Sequence, residues 1–339
     1  MEKGKESMQQ EHSARPRQGL SWTAAVVGIG MLAASCGREQ PNGGQSRRAE
    51  PAPIRFSYQN RIGSAIPIIA VEKGIFARHS LKVVPSRFTS GPACAEALYT
   101  GAADVGAMGD TTAIIALSRA APLQLIASHA SGEHRHRLIV SAESSLKTVQ
   151  DLGGKRVAIK KGTSTYGGFL KFLAANEIPP DRITVVNLKP EAMPDALAAG
   201  SVEAFAASEP TPSLGEMRGG RQIATFGGMG NTYPIMMLAT ESFIAERPAE
   251  LARFVAALQE AERFTQANRG EAVSVIAKSI GMPDDITAKA LDRHTIHLNL
   301  DAATLDSLRE TAAFLKSEGL IEALPELVTA GPLSGEAAK

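Results

Sequence analysis

Ala97-Leu98-Tyr99-Thr100-Gly101-Ala102-Ala103-Asp104-Val105-Gly106-Ala107-Met108-Gly109-Asp110-Thr111-Thr112 contains one unit of an α/β fold. Pro92 suits a helix first turn, and the helix it opens runs to Tyr99. Gly101 stops that helix, because glycine takes the left-handed backbone that ends helices at little cost. Val105 to Met108 reads as a short strand, and Gly109-Asp110-Thr111-Thr112 opens the next helix with capping residues. Alternation of this kind predicts a mostly parallel, doubly wound sheet.

The same alternation extends in both directions. Ile54-Arg55-Phe56-Ser57-Tyr58 alternates like a strand, Asn60 to Ser64 is a polar turn, and 66–76 reads as a helix ending near Gly74. Leu81-Lys82-Val83-Val84 is a strand and Thr89-Ser90-Gly91 a turn. After about residue 140 the pattern restarts. Arg156-Val157-Ala158-Ile159 is a strand, Gly162-Thr163-Ser164-Thr165 a turn, and 166–175 a helix. Ile183 to Val186 and Val202 to Ala206 are strands, with a helix over 194–199 between them and the turn Ser208-Glu209-Pro210 after them. Ala196-Leu197-Ala198-Ala199-Gly200-Ser201-Val202-Glu203 matches the opening unit in kind: helix end, glycine, acid, strand. Each copy leads to a polar turn at a strand's C-terminal end, where open α/β sheets bind ligands. Ile235 to Ala239 is one more strand. A long amphipathic helix over 248–268 follows, then helices near 271–279, 284–293 and 302–317 and a polar tail from Gly331 expected to be loose.

Composition agrees with a soluble, two-domain chain. Its 339 residues are 44% hydrophobic and 21% charged, with 36 basic against 35 acidic residues. That balance gives no argument for nucleic acid, and disordered, collagenous and disulfide-scaffold classes are excluded. The N-terminus differs. A basic flank with Lys3, Lys5, Arg15 and Arg17 precedes an uncharged stretch from Leu20 to Ala34, shorter than the ~20 residues of a membrane span. This predicts a signal peptide over 1–35. Leu32-Ala33-Ala34-Ser35-Cys36-Gly37 resembles a lipobox, in which Cys36 carries the lipid, although Leu32 stands four residues before the cysteine rather than three. The alternative is cleavage near Ala34 with Cys36 left free. Residues 36–53, rich in Gly, Pro, Gln and Ser, predict a flexible tether spanning roughly 20–25 Å. Cys94, between Ala93 and Ala95, reads as a packed helix residue.

Three phrases resemble a known family in their order and spacing. They are Pro67-Ile68-Ile69-Ala70-Val71-Glu72-Lys73-Gly74-Ile75-Phe76, Ala97 to Gly106, and Asp151-Leu152-Gly153-Gly154-Lys155-Arg156-Val157-Ala158. Together they resemble the substrate-binding proteins of ABC transporters in the nitrate, sulfonate and taurine uptake group, over roughly 54–320. The resemblance implies a periplasmic-binding-protein-like fold of two α/β lobes with the ligand cleft between them. Lobe 1 would comprise 54–130 plus 236–330 and lobe 2 would comprise 131–235. Hinge crossings would lie near 128–140 and 226–240, leaving 331–339 as the tail. It further implies an exported, monomeric receptor at the periplasm or cell surface. Its partners would be a small-molecule ligand, an inner-membrane ABC permease and, through the lipid anchor, the membrane. No cofactor is expected. Enzymes of the same fold related to thiamine-pyrimidine synthesis are the alternative; they carry a cysteine-rich motif that this chain lacks.

Several residues are candidate ligand contacts. Ser64, Thr89, Ser90, Gly91, Asp110, Thr111, Thr163, Ser164 and Thr165 lie in turns at helix N-termini, which favour anions. The same side chains could simply cap their helices. Tyr166 and Tyr233, near strand ends, could stack on a ligand or merely pack. Asp110 and Glu209 follow corresponding strands of the two halves. Two acids in one cleft predict a ligand that joins an anionic end to an amine or other N–H donors. Glu133-His134-Arg135-His136-Arg137 contains His-x-His, whose members share one face of a strand, but the two arginines oppose a metal. No metal site is expected, and a basic segment facing the cleft is the preferred reading.

Overall fold

The computed structural model describes residues 52–119 and 121–336. The expected signal peptide, Cys36, nearly all of the tether and residues 337–339 therefore lie outside the described residues. The strands in chain order are β1 (Ile54–Gln59), β2 (Val83–Phe88), β3 (Val105–Gly109), β4 (Leu123–Ala130), β5 (His136–Ser141), β6 (Arg156–Ile159), β7 (Thr184–Asn187), β8 (Ala204–Ser208), β9 (Gly220–Thr225) and β10 (Ile235–Thr240). They form two sheets with orders β2-β1-β3-β10-β4 and β7-β6-β8-β5-β9. The protein is therefore an α/β, two-lobed chain.

Both sheets are mixed, and the reason lies in how the chain crosses between them. β1, β2 and β3 are parallel, while β10 is antiparallel to both β3 and β4. In the second sheet β6, β7 and β8 are parallel and β5 is antiparallel to β8 and β9. The reversed strands are the two that follow a crossing: β4 leads to β5 through 131–135, and β9 leads to β10 through 226–234. A chain leaving the C-terminal edge of one sheet enters the other at the edge facing it. It must then run against the strands that end there. The expectation of a mostly parallel sheet thus holds for four strands of each five.

The C-terminal third completes the first lobe. Helix Pro248–Ala267 packs on helix Ala65–Glu72, and Phe254 stacks on Phe76 with ring centroids 5.0 Å apart. Phe56 of β1 meets Phe254 edge-on at 5.2 Å. The second lobe has its own core, in which Phe169 and Phe172 pack around Phe226. The tail departs from expectation: Leu333 is 4% exposed within the first core, because burying its side chain outweighs the polarity of its neighbours. Cys94 is buried in helix Gly91–Tyr99, where burial pushes its thiol pKa well up.

The repeat visible in the sequence is a repeat of contacts. Arg55, at the start of β1, donates its backbone N–H to Asp104 Oδ2 at 2.8 Å, and its guanidinium reaches Asp104 and the Gly101 carbonyl. Arg156, at the start of β6, donates its backbone N–H to Glu203 Oε2 at 2.8 Å, and its guanidinium reaches Glu203 and the Gly200 carbonyl. Burial separates the two clamps. The Asp104 side chain is 12% exposed, that of Glu203 35%. Asp104→Ala would leave the Arg55 backbone N–H without its partner, a loss of about 1–3 kcal/mol. Glu203→Ala should cost distinctly less, since water screens the exposed pair. Urea unfolding of the two variants measures this; equal losses would contradict the burial argument.

Candidate functional site

The C-terminal strand ends of the two sheets face one another. Gln59 and Arg61 follow β1, Gly109 ends β3, Lys160 and Thr163 follow β6, and Ser208 and Glu209 stand at the end of β8. Together with residues from the crossings they line three cavities of about 20, 10 and 20 Å³. Three helices of nine residues or more start there: Gly91–Tyr99, Asp110–Ser118 and Ser164–Ala175. Gly91, Gly109, Thr112, Thr163, Ser164 and Thr165 border one cavity, so three helix N-termini converge on it. A cavity of about 600 Å³ lies elsewhere, among Val71, Phe76, Leu81, Val83 and Pro85, away from these strand ends.

The lobes are closed on each other. Arg61 donates to the Ser208 carbonyl at 2.7 Å and Thr112 Oγ1 to the Gly162 carbonyl at 2.9 Å. Arg293 Nε stands 3.6 Å from Glu209 Oε1. Two glycines permit the approach. A methyl group on Gly109 would overlap Ser164 Oγ, and one on Gly167 would stand 2.6 Å from Thr111 Oγ1.

The cleft is cationic and under-bonded. Arg135 is 4% exposed and donates through Nη2 to the Tyr233 carbonyl at 2.7 Å, leaving its Nε without a partner. Ser164 Oγ, His136 Nε2 and His294 Nε2 are likewise shielded and unpartnered. Burial pushes Arg61 and Arg135 each down to about 10, so both remain charged at neutral pH. Burial and the nearby arginines hold the histidines neutral: His136 falls well below its usual range, and His294 and His129 fall to about 3. A buried guanidinium N–H and a hydroxyl without acceptors, beside three helix N-termini, together suit an anion.

Of the sequence candidates, Ser64, Ser90, Gly91, Thr163, Ser164, Thr165 and Glu209 border these cavities. Others are drawn elsewhere. Thr89 is exposed. Thr111 packs on Gly167. Tyr166 joins the edge of the second core. Tyr233 is buried in that core, where its hydroxyl donates to the Phe226 carbonyl at 3.0 Å. Its ring is taken up by packing against His136, centroid to centroid 4.6 Å. Asp110 turns to its own helix: Oδ1 accepts from Thr111 N at 2.6 Å and Oδ2 from Asn231 at 3.3 Å. Glu209 accepts from Arg137 at 2.9 Å and Ser213 Oγ at 2.8 Å. Both acids are therefore satisfied within the protein, which removes the reason for expecting an amine opposite them. His134 and His136 share no strand face, because Glu133–Arg135 is a 3-10 turn and His134 Nδ1 bonds Thr225 Oγ1 at 2.8 Å. Among the described residues no three acidic, histidine or cysteine side chains converge as a metal site. Arg61, Thr112, Ser208, Ile235 and His294 were not anticipated; His294 arrives from a segment far along the chain that bridges Ser131 through Thr295.

Residues 47–281 match the NMT1-like family. The chain belongs to that family. This NMT1-like chain is 27% identical over 246 residues to a putative aliphatic sulfonates-binding protein of Escherichia coli, covering 72% of this chain and 76% of the relative. It is 24% identical over 296 residues to the taurine-binding periplasmic protein of the same organism, covering 82% and 90%. The alkanesulfonate-binding protein SsuA of Xanthomonas axonopodis, bound to MOPS, superposes with a TM-score of 0.74 at 26% identity, over 85% of this chain and 99% of that one. The desulfurization enzyme DSZB shares the fold alone, at TM-score 0.66 and 15% identity over 84% and 96%.

Two outcomes follow from this geometry in the NMT1-like chain. Gly109 has a backbone that alanine adopts freely (φ −70°, ψ 162°), so Gly109→Ala should fold normally yet hold the lobes apart. Small-angle scattering should report a larger radius of gyration than wild type; an unchanged radius would refute the closure contact. The neutral histidines set a pH dependence. Unfolded histidines titrate near 6.5, above the folded values, so the unfolded chain binds more protons on acidification. Stability should be full above about pH 6.5 and fall progressively toward pH 3. His129→Leu should flatten that slope in melting experiments, because His129 is wholly buried with both ring nitrogens unpartnered.

Proposed function

We propose that this protein is an extracytoplasmic solute-binding receptor that captures a small organic anion of the sulfonate class and hands it to an ABC importer. The observation that carries the reading is the unpartnered Arg135 Nε and Ser164 Oγ where three helix N-termini meet. An anion there supplies the acceptors these groups lack and offsets the mutual repulsion of Arg61 and Arg135. The sulfonate- and taurine-binding names of relatives matched over most of their length support the same chemistry. The cavities are small, so the lobes must part to admit ligand and re-close over it by motion about the crossings 131–135 and 226–234. Ligand would shift the population toward the closed form. In this reading 1–35 directs export, Cys36 carries a lipid, and 36–53 tethers the receptor to the membrane.

Titration calorimetry with ethanesulfonate, taurine, 2-hydroxyethanesulfonate and nitrate tests the assignment. At least one sulfonate should bind at micromolar or better affinity. Arg135→Lys keeps the charge and loses the Nε donor, so it should weaken that binding by about ten- to a hundredfold, the worth of a charged hydrogen bond. Failure of every sulfonate to bind, or undiminished binding by the variant, would overturn the assignment.

A further inference from the structure

His294 stands at the end of helix Asp284–Leu291, and its ring reaches the cleft beside Gly63 and Ile235. Its Nδ1 lies 2.9 Å from the Ala290 carbonyl. A carbonyl oxygen only accepts, so Nδ1 carries the proton. The neutral ring then presents at Nε2 a bare lone pair. That atom is shielded from solvent, has no partner, and belongs to a residue lining the cavity with Gln59, Arg61, Arg135 and Glu209. Every other unsatisfied group already assigned to the anion is a donor or an adaptable hydroxyl. His294 needs the opposite: a donor.

The charges around it decide which donor. Arg61 and Arg135 both face His294, and His129 and His136 nearby are neutral. Glu209, the carboxylate on the same cavity, is already engaged by Arg137 and Arg293. An ammonium would stand among guanidinium groups with no free acid to receive it. An uncharged O–H meets the lone pair without that repulsion. Resting on the receptor reading above, we propose that His294 is a specificity-determining residue that accepts a hydrogen bond from a neutral hydroxyl or amide N–H of the ligand. The ligand class is therefore an anion with an uncharged donor close to its head, such as a hydroxyalkanesulfonate.

Three probes of nearly equal size isolate the effect: 2-hydroxyethanesulfonate, ethanesulfonate and taurine, titrated by calorimetry into the full chain. A site built to bond a hydroxyl penalises the analogue that lacks it, because its own buried group is left unpaired. Wild-type protein should bind 2-hydroxyethanesulfonate at least about tenfold tighter than ethanesulfonate, and tighter than taurine. His294→Leu should level the hydroxylated and plain sulfonates. His294→Gln keeps an acceptor oxygen and should retain part of the preference, which also guards against a variant that fails for reasons of folding. Equal binding of the hydroxylated and plain sulfonates by wild type, survival of the preference in His294→Leu, or tighter binding of taurine would overturn this inference while leaving the receptor reading standing. Binding of none of the three would overturn the sulfonate reading and this inference together.

Discussion

A backbone hydrogen bond ties together the two passages between the lobes: Gly132 N donates to the Thr232 carbonyl at 2.8 Å. Gly132 cannot be replaced easily, since its φ is +148° and a methyl group there would stand 2.5 Å from the Arg293 carbonyl. Around this point the chain ties its remaining parts. Ser131 exchanges backbone hydrogen bonds with Thr295, Asp110 N donates to the Pro234 carbonyl, and Arg135 donates to the Tyr233 carbonyl. The crossings thus set which strand ends face each other, which side chains enter the cleft, and why one strand in each sheet is reversed.

The cleft runs against the usual accounting of a protein interior. Buried polar groups are normally hydrogen-bonded, and leaving one unpaired costs about 1–3 kcal/mol. Here Arg135 Nε, His136 Nε2, His294 Nε2 and Ser164 Oγ are unpaired within one region. The other unpaired buried side-chain atoms among the described residues are both ring nitrogens of His129, on β4, and Thr287 Oγ1, so four of seven fall in the cleft. In the receptor reading proposed above, a ligand with matching acceptors and donors would convert the deficit into affinity in the closed form, which brings both lobes' groups together.

The alternation of strands and helices was legible because each element is short, apolar and punctuated by Gly, Pro and capping residues. Helix Pro248–Ala267 and the strand at Ile235–Thr240 appear where periodicity placed them. β5 was not legible, because it begins His136-Arg137 and reads as part of a basic crossover segment rather than as a strand. Arg137 is 2% exposed only because Glu209, Glu216 and Gln222, from 72 to 85 residues away, converge on it. The site divides the same way. Serines, threonines and glycines at helix starts carry a local signature. Arg61 and His294 do not, since their roles come from tertiary neighbours. Asp110 and Glu209 drew attention as charges, and the fold had already answered them.

The position of β10 has a consequence for how the chain acquires its structure. It lies between β3 and β4, so the first sheet remains two separate pieces until residues 235–240 are available, and helix Pro248–Ala267 comes later still. The second sheet draws all its strands from 136–225. As the chain emerges from one end, the later-numbered lobe can therefore close first, while the lobe that begins the described chain waits with its apolar strands unpaired. Long-range pairing of that kind is slow and exposes surface prone to aggregation. The order of assembly is thus the reverse of the order of synthesis, and β10, by joining the halves of the first sheet, is the step that ends the exposure.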